Sequence, residues 1–188
     1  MEERKIDLSE SQQSTKTVYQ GRLLHVKEDQ VLLPNGQSST REYIVHPGAV
    51  VILPMFDNGD LLLERQFRYP LGRDFIEFPA GKIDPGEDIL DCAQRELKEE
   101  TGYTAQSWQY LTTIYPCIGY SNERLIYYIA QGLDHGGHNP DEDEFLEIMR
   151  VPFDVALKMV RTGEICEAKT VSGLFWLDKL RNKEWVIP

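Results

Sequence analysis

Two apolar runs, AVVILPMF (49–56) and LLLERQF (61–67), joined by Asp57-Asn58-Gly59-Asp60, restrict the fold of this chain more than any other feature. The joining tetrapeptide tolerates the positive φ angles of a tight hairpin, so the runs are read as adjacent strands of a central sheet. FIEFPAG (75–81) reads as a further strand ending at a proline and a glycine, and Asp84-Pro85-Gly86 as a turn. Helical periodicity starts near Asp88 and stops at Gly102, a residue suited to the position just past a helix end. More strands are expected at 108–115, 125–130 and 145–151, then helices at about 152–161 and 169–180. Strands, one helix, strands and then helices predict an α/β fold, a mixed sheet with helices on its faces.

Upstream of Pro47-Gly48 the chain changes character. From Thr17 to His46 it alternates around two turn signals, Gln20-Gly21 and Pro34-Asn35-Gly36-Gln37, which predicts a small antiparallel sheet. Two or three strands bury too little apolar area to stand alone, so this sheet should pack on the main domain or on a second copy of the chain. Residues 1–46 are therefore read as a separate β-sheet region and 47–188 as the main domain. The first sixteen residues are polar enough to be partly disordered.

With 31 acidic and 20 basic side chains the formal charge is −11, which repels nucleic acid and anionic membranes unless basic residues cluster, and no such cluster occurs. No apolar signal segment and no run of eighteen apolar residues is present, so a cytoplasmic protein without a membrane span is expected. Cys92, Cys117 and Cys166 lack metal-binding spacing and read as free thiols.

The chemistry concentrates in the helical run. On a helix advancing about 100° per residue, Glu99 and Glu100 fall about 60° and about 40° to either side of Glu96, so three carboxylates share a face. Leu90, Ala93 and Leu97 form a flanking apolar stripe, and Arg95 stands four residues before Glu99, where an ion pair could fix one acid and leave the others free. A solvated acidic face is the plain explanation. Like charges at this spacing repel, however, and Glu87 faces them across a Gly- and Pro-marked loop. A cluster of hard divalent cations, which prefer carboxylate oxygens, accounts for both features.

Gly81, Glu87, Arg95-Glu96-Leu97, Glu99-Glu100 and Gly102 reproduce the spacing of the Nudix box, with Tyr103 where the family pattern has a bulky aliphatic residue. The chain thus resembles Nudix hydrolases. The resemblance implies an α/β/α sandwich around a mixed β-sheet, and metal-dependent hydrolysis of a nucleoside diphosphate linked to another moiety, with Mg²⁺ or Mn²⁺. It implies Glu96, Glu99, Glu100 and the Ala80 carbonyl as metal ligands, and Gly81, Glu87, Arg95 and Gly102 as structural positions of the box.

HPGAVVILP, ERQFRYPLG, FIEFPAGKID, IYPCIGYSNER, PDEDEFLE and GEICEAKT are similar to segments of the ADP-ribose pyrophosphatase subfamily. That similarity implies substrate contacts at Arg68 and Glu77, and an acid of the 141–144 run, Glu144 first and Glu142 second, that helps to activate water beside Glu99. It also implies a homodimer built through the amino-terminal sheet, and an aromatic residue, Tyr19, Tyr43 or Phe67, stacked on the base. The implied reaction is cleavage of ADP-ribose to AMP and ribose 5-phosphate. Pro116-Cys117-Ile118-Gly119 departs from the Ser-Pro-Gly-like loop of many relatives, which keeps a broader nucleoside diphosphate sugar hydrolase, acting on GDP-mannose or ADP-glucose, as the alternative. A non-catalytic, ligand-sensing Nudix domain usually has a broken box; here every acid is present.

Overall fold

The structure, a computed structural model, describes residues 6–137 and 145–187. Its contacts divide it into two units, Met1–His46 with Cys117–Glu123, and Pro47–Pro116 with Arg124–Pro188.

The first unit is a three-stranded antiparallel sheet of β1 (Ser11–Gln20), β2 (His25–Leu32) and β3 (Ser38–Val45), in that order. Between β2 and β3 the chain reverses at Gly36, whose φ of 81° favours glycine; the Asn35 side chain accepts a hydrogen bond from the Gln37 amide at 3.0 Å. β1 begins six residues before Thr17, inside the stretch expected to be partly disordered: Ser11 to Lys16 pair with β2 despite their polarity. Cross-strand hydrogen bonds, which apolar patterning does not report, hold this edge. Asp29 on β2 is buried, its Oδ2 accepting from Gln12 Nε2 at 2.7 Å and from the Tyr43 hydroxyl at 3.0 Å. Cys117–Glu123 joins the unit through hydrogen bonds between Ile44 and Tyr120 and between His46 and Asn122.

The second unit is built on a sheet in which β10 (Leu146–Val151), β5 (Leu61–Arg68), β4 (Ala49–Met55), β9 (Leu125–His135) and β8 (Tyr103–Ile114) lie side by side; β6 (Arg73–Glu77) pairs with β5, and β7 (Ala80–Lys82) with β4. Among the described residues of this sheet only the β4–β9 pairing is parallel, so the sheet is mixed. Helix α1 (Ile89–Thr101) packs Cys92, Ala93 and Leu97 with Val50, Ile52 and Leu62, while α2 (Phe153–Thr162) and α3 (Ala168–Arg181) pack with Val51, Leu53, Leu61 and Leu63. Neighbouring residues of β4 thus enter opposite cores. This is why that strand is continuously apolar, and the result is an α/β/α sandwich.

The core stripe of α1 runs through Cys92, Ala93 and Leu97 with Ile89 against it, and Leu90 is only half-buried. The helix is turned slightly from the expected phase because Cys92 rather than Leu90 points inward. Asp88 caps its first turn, accepting from the Leu90 amide at 2.8 Å, and Gly102 ends it at φ 74°. β8 and β9 extend beyond the expected strands, starting directly after Gly102 and ending at His135. The two pair along their length through residues that are polar outside and apolar inside. Among the described residues no helix is long and apolar enough to cross a membrane.

Candidate active site

The loop between β6 and α1 and the face of α1 turned towards β7 bring the box residues together. Gly81 on β7 is the closest approach: a β-carbon there would fall 1.8 Å from the Glu96 carboxyl carbon. Only a hydrogen at this position leaves room for that carboxylate against the backbone. Glu100, 5% exposed, accepts a hydrogen bond from the Ala80 amide at 3.0 Å, so β7 holds the second acid as well.

Arg95 does more than fix one carboxylate. Its Nε and Nη2 grip Glu87 at 2.8 and 3.0 Å, while Nη1 donates to Glu96 and to Glu99, each at 2.9 Å. One guanidinium therefore neutralises part of the charge that Glu96 and Glu99 would turn on each other, and ties the helix to the loop carrying Glu87. The Arg95 bonds, reinforced by the Asp84 amide, pull the Glu87 carboxyl down to about 2. The Glu87 hydrogen bond first, with Glu99 and Glu96, raises Arg95, and burial pushes the Cys92 thiol up to about 12, so that it stays protonated.

Among the described residues no three acidic, histidine or cysteine side chains converge into a closed cation cage. Arg95 draws Glu96 and Glu99 one way and the Ala80 amide draws Glu100 another. The donor set nevertheless fits a hard divalent cation: carboxylate oxygens of Glu96, Glu99 and Glu100 lie along one helix face, with a notch at Gly81 that a β-carbon would fill.

A second cluster lies at the end of β5 and β6. Arg68 Nε and Nη2 form a fork on Glu77 at 2.8 and 2.7 Å. Glu77 is 1% exposed, and its other partner is the ammonium of Lys169, in the first turn of α3. Burial pushes the Glu77 carboxyl up; the Arg68 hydrogen bond and the Lys169 charge overcome this and leave it below its ordinary value. The Glu77 carboxylate is thus held inside by two cations, and Arg68 is the member of the cluster that meets solvent.

Four residues of this cluster escaped sequence reasoning. Glu64, 1% exposed, stands directly opposite Glu77 across the β5–β6 ladder. Its sequence signal is an acid following three leucines. Glu167 caps α3, accepting from the Lys169 and Thr170 amides at 2.8 and 3.0 Å, and Thr170 Oγ1 accepts from the Phe78 amide at 2.9 Å. These bonds fasten α3 to the strand that delivers Glu77. Lys169 lies in the GEICEAKT segment but had no role assigned to it, since a lysine at a helix start is ordinarily solvated.

Glu142 and Glu144 lie outside the described residues. Of the aromatic candidates, Phe67 and Tyr19 are exposed, and the Tyr43 hydroxyl is engaged by Asp29.

Known proteins share both parts of this chain. Residues 45–171 match the NUDIX domain, and residues 12–44 match the nucleoside diphosphate sugar hydrolase N-terminal domain. The chain is 38% identical to an ADP-ribose pyrophosphatase of Bacillus subtilis, over 90% of this chain and 93% of that one. It is 36% identical to a methanol dehydrogenase activator of Bacillus methanolicus, over 87% and 89%. A crystal structure of an ADP compounds hydrolase superposes with a TM-score of 0.84 at 28% identity, covering 95% of this chain and 97% of that one. Fold and site together define a hydrolase whose acids are carried on one helix against a mixed sheet. The chain belongs to the Nudix family.

Proposed function

We propose that this protein hydrolyses the pyrophosphate of ADP-ribose, giving AMP and ribose 5-phosphate, with Mg²⁺ or Mn²⁺ held by Glu96, Glu99, Glu100 and the Ala80 carbonyl. The observation that carries this function is the placement of Glu96 in the Gly81 notch and of Glu100 on the Ala80 amide, which sets hard oxygen donors side by side on α1. When bound, a divalent cation neutralises the diphosphate and lowers the pKa of a coordinated water. The chain's own groups do the remainder. Arg68, oriented by Glu77, receives a phosphate oxygen; Arg95 and Glu87 keep α1 fixed to its loop; and an acid, Glu144, Glu142 or Glu99, accepts the proton of the attacking water. Water adds across the P–O–P bridge, so one phosphate leaves as AMP and the other as ribose 5-phosphate, with two protons released once both monoesters are fully ionised.

ADP-ribose is supported by the name of the Bacillus subtilis relative. The Pro116–Gly119 departure favours a second, broader scope that includes GDP-mannose and ADP-glucose. The intact box argues against a purely sensing domain. We further infer that residues 1–46 mediate homodimerisation, because every residue of β1 is exposed, Val18 and Tyr19 among them, and that the enzyme works in the cytoplasm. Light scattering should give the mass of two chains; a mass of one contradicts the dimer. The test of function is incubation with ADP-ribose, GDP-mannose and ADP-glucose side by side, with Mg²⁺ and with chelator. AMP from ADP-ribose in the Mg²⁺ arm alone is expected; no product from any of the three overturns the proposal.

A further inference from the structure

We propose that Lys169 is a positioning residue for Arg68: its ammonium offsets the buried Glu77 carboxylate, so that Glu77 orients the guanidinium without consuming its charge, and Arg68 stays available to an anionic ligand. The inference rests on the proposed function, in which that anion is the substrate diphosphate.

Glu77 is 1% exposed and shared by two cations. Were Arg68 its sole partner, the pair would be neutral, and desolvation of Glu77 would draw the guanidinium inward as the only available counterion. With Lys169 present, Arg68, Glu77 and Lys169 together carry one positive charge. Within a chain of net charge −11, where Glu64 stands opposite Glu77 and the charge of Glu100 also reaches Arg68, that surplus decides whether an anion is welcome. The fork uses Nε and Nη2 of Arg68 and leaves Nη1 outside it.

Lys169 is itself held rigidly. Its amide donates to Glu167 at 2.8 Å, its carbonyl accepts from the buried Tyr127 hydroxyl at 3.1 Å, and its ammonium also reaches Glu167 at 3.2 Å. The negative charge of Glu167 is answered by the first amides of α3 and by the Thr170 hydroxyl at 3.0 Å, which leaves the ammonium to Glu77. Arg68 and Lys169 both open onto a small pocket of about 220 Å³ walled by Leu71 and Phe75.

The test is ADP-ribose binding measured by calorimetry in chelator, where no metal-dependent turnover occurs. A failure of the hydrolytic proposal then shows in the product assay and leaves the binding comparison intact. Lys169→Met is expected to weaken binding roughly tenfold. Removing the orphaned charge as well, in Glu77→Gln/Lys169→Met, is expected to restore affinity to within about threefold of wild type, and this double variant no longer has the buried Glu77 carboxylate to compensate should the single one fail to fold. In an Arg68→Gln background Lys169→Met should weaken binding no further. Wild-type affinity in Lys169→Met, a double variant with Glu77→Gln that binds more than about tenfold below wild type, or full additivity with Arg68→Gln each overturns the proposal.

Discussion

Gly81 and Glu96 interlock: the position a β-carbon would take on Gly81 lies 1.8 Å from the Glu96 carboxyl carbon. Gly81→Ala must therefore push Glu96 out of its notch. Displacing a reacting group by about 1 Å is enough to lower turnover about a hundredfold. The expected result is a loss of that order in kcat with the circular dichroism spectrum kept, and wild-type kcat would show that Glu96 has no need of the notch.

Glu100→Gln removes the charge of a proposed metal ligand while its amide oxygen can still accept from Ala80 at the position now 3.0 Å away. Turnover at saturating Mg²⁺ should fall by about two orders of magnitude or more, with little change in melting temperature, because a like-charged neighbour on α1 is lost. Steady-state kinetics and thermal melts on the same preparation check both halves.

Glu87 supplies a pH signature. Its folded-state pKa is depressed from 4.5 to about 2, so its contribution to stability is present above about pH 4.5 and is lost as pH falls towards 2. Glu87→Gln should consequently destabilise the protein at pH 7 and have a much smaller effect near pH 2.5. Urea melts of wild type and variant at both pH values read this directly; an equal penalty at the two would mean that Arg95 does not hold Glu87 in its charged form.

Thr170 bridges α3 to the strand before the site, its hydroxyl accepting from the Phe78 amide at 2.9 Å in a fully buried setting. Thr170→Val keeps the shape and leaves that amide without its acceptor, which costs about 1–3 kcal/mol. Urea denaturation should show a loss of that size. A loss below about 0.5 kcal/mol would indicate that the amide finds another partner.

Much of this fold was legible because its signals are local. The apolar runs mark β4 and β5, since both faces of those strands are covered. Gly102 marks the end of α1 because the backbone there needs positive φ. Glu96, Glu99 and Glu100 could be placed on one face because helix geometry fixes their angles. What escaped is non-local. Lys169 lies 92 residues from Glu77, and nothing near it in sequence tells of the buried carboxylate it meets. Likewise β1 is held by pairing with β2 rather than by apolar periodicity, and the grip of Arg95 on three acids depends on a loop whose path spacing alone does not give.

The central claim is that the glutamates of α1 gather divalent ions around a nucleoside diphosphate sugar. Electron paramagnetic resonance of Mn²⁺ titrated into the protein with a non-hydrolysable methylene analogue of ADP-ribose tests it most directly. Wild type should bind Mn²⁺ tightly in the presence of the analogue, and Glu96→Gln/Glu100→Gln should leave the ion free in solution. Equal Mn²⁺ binding by the two proteins would contradict the account.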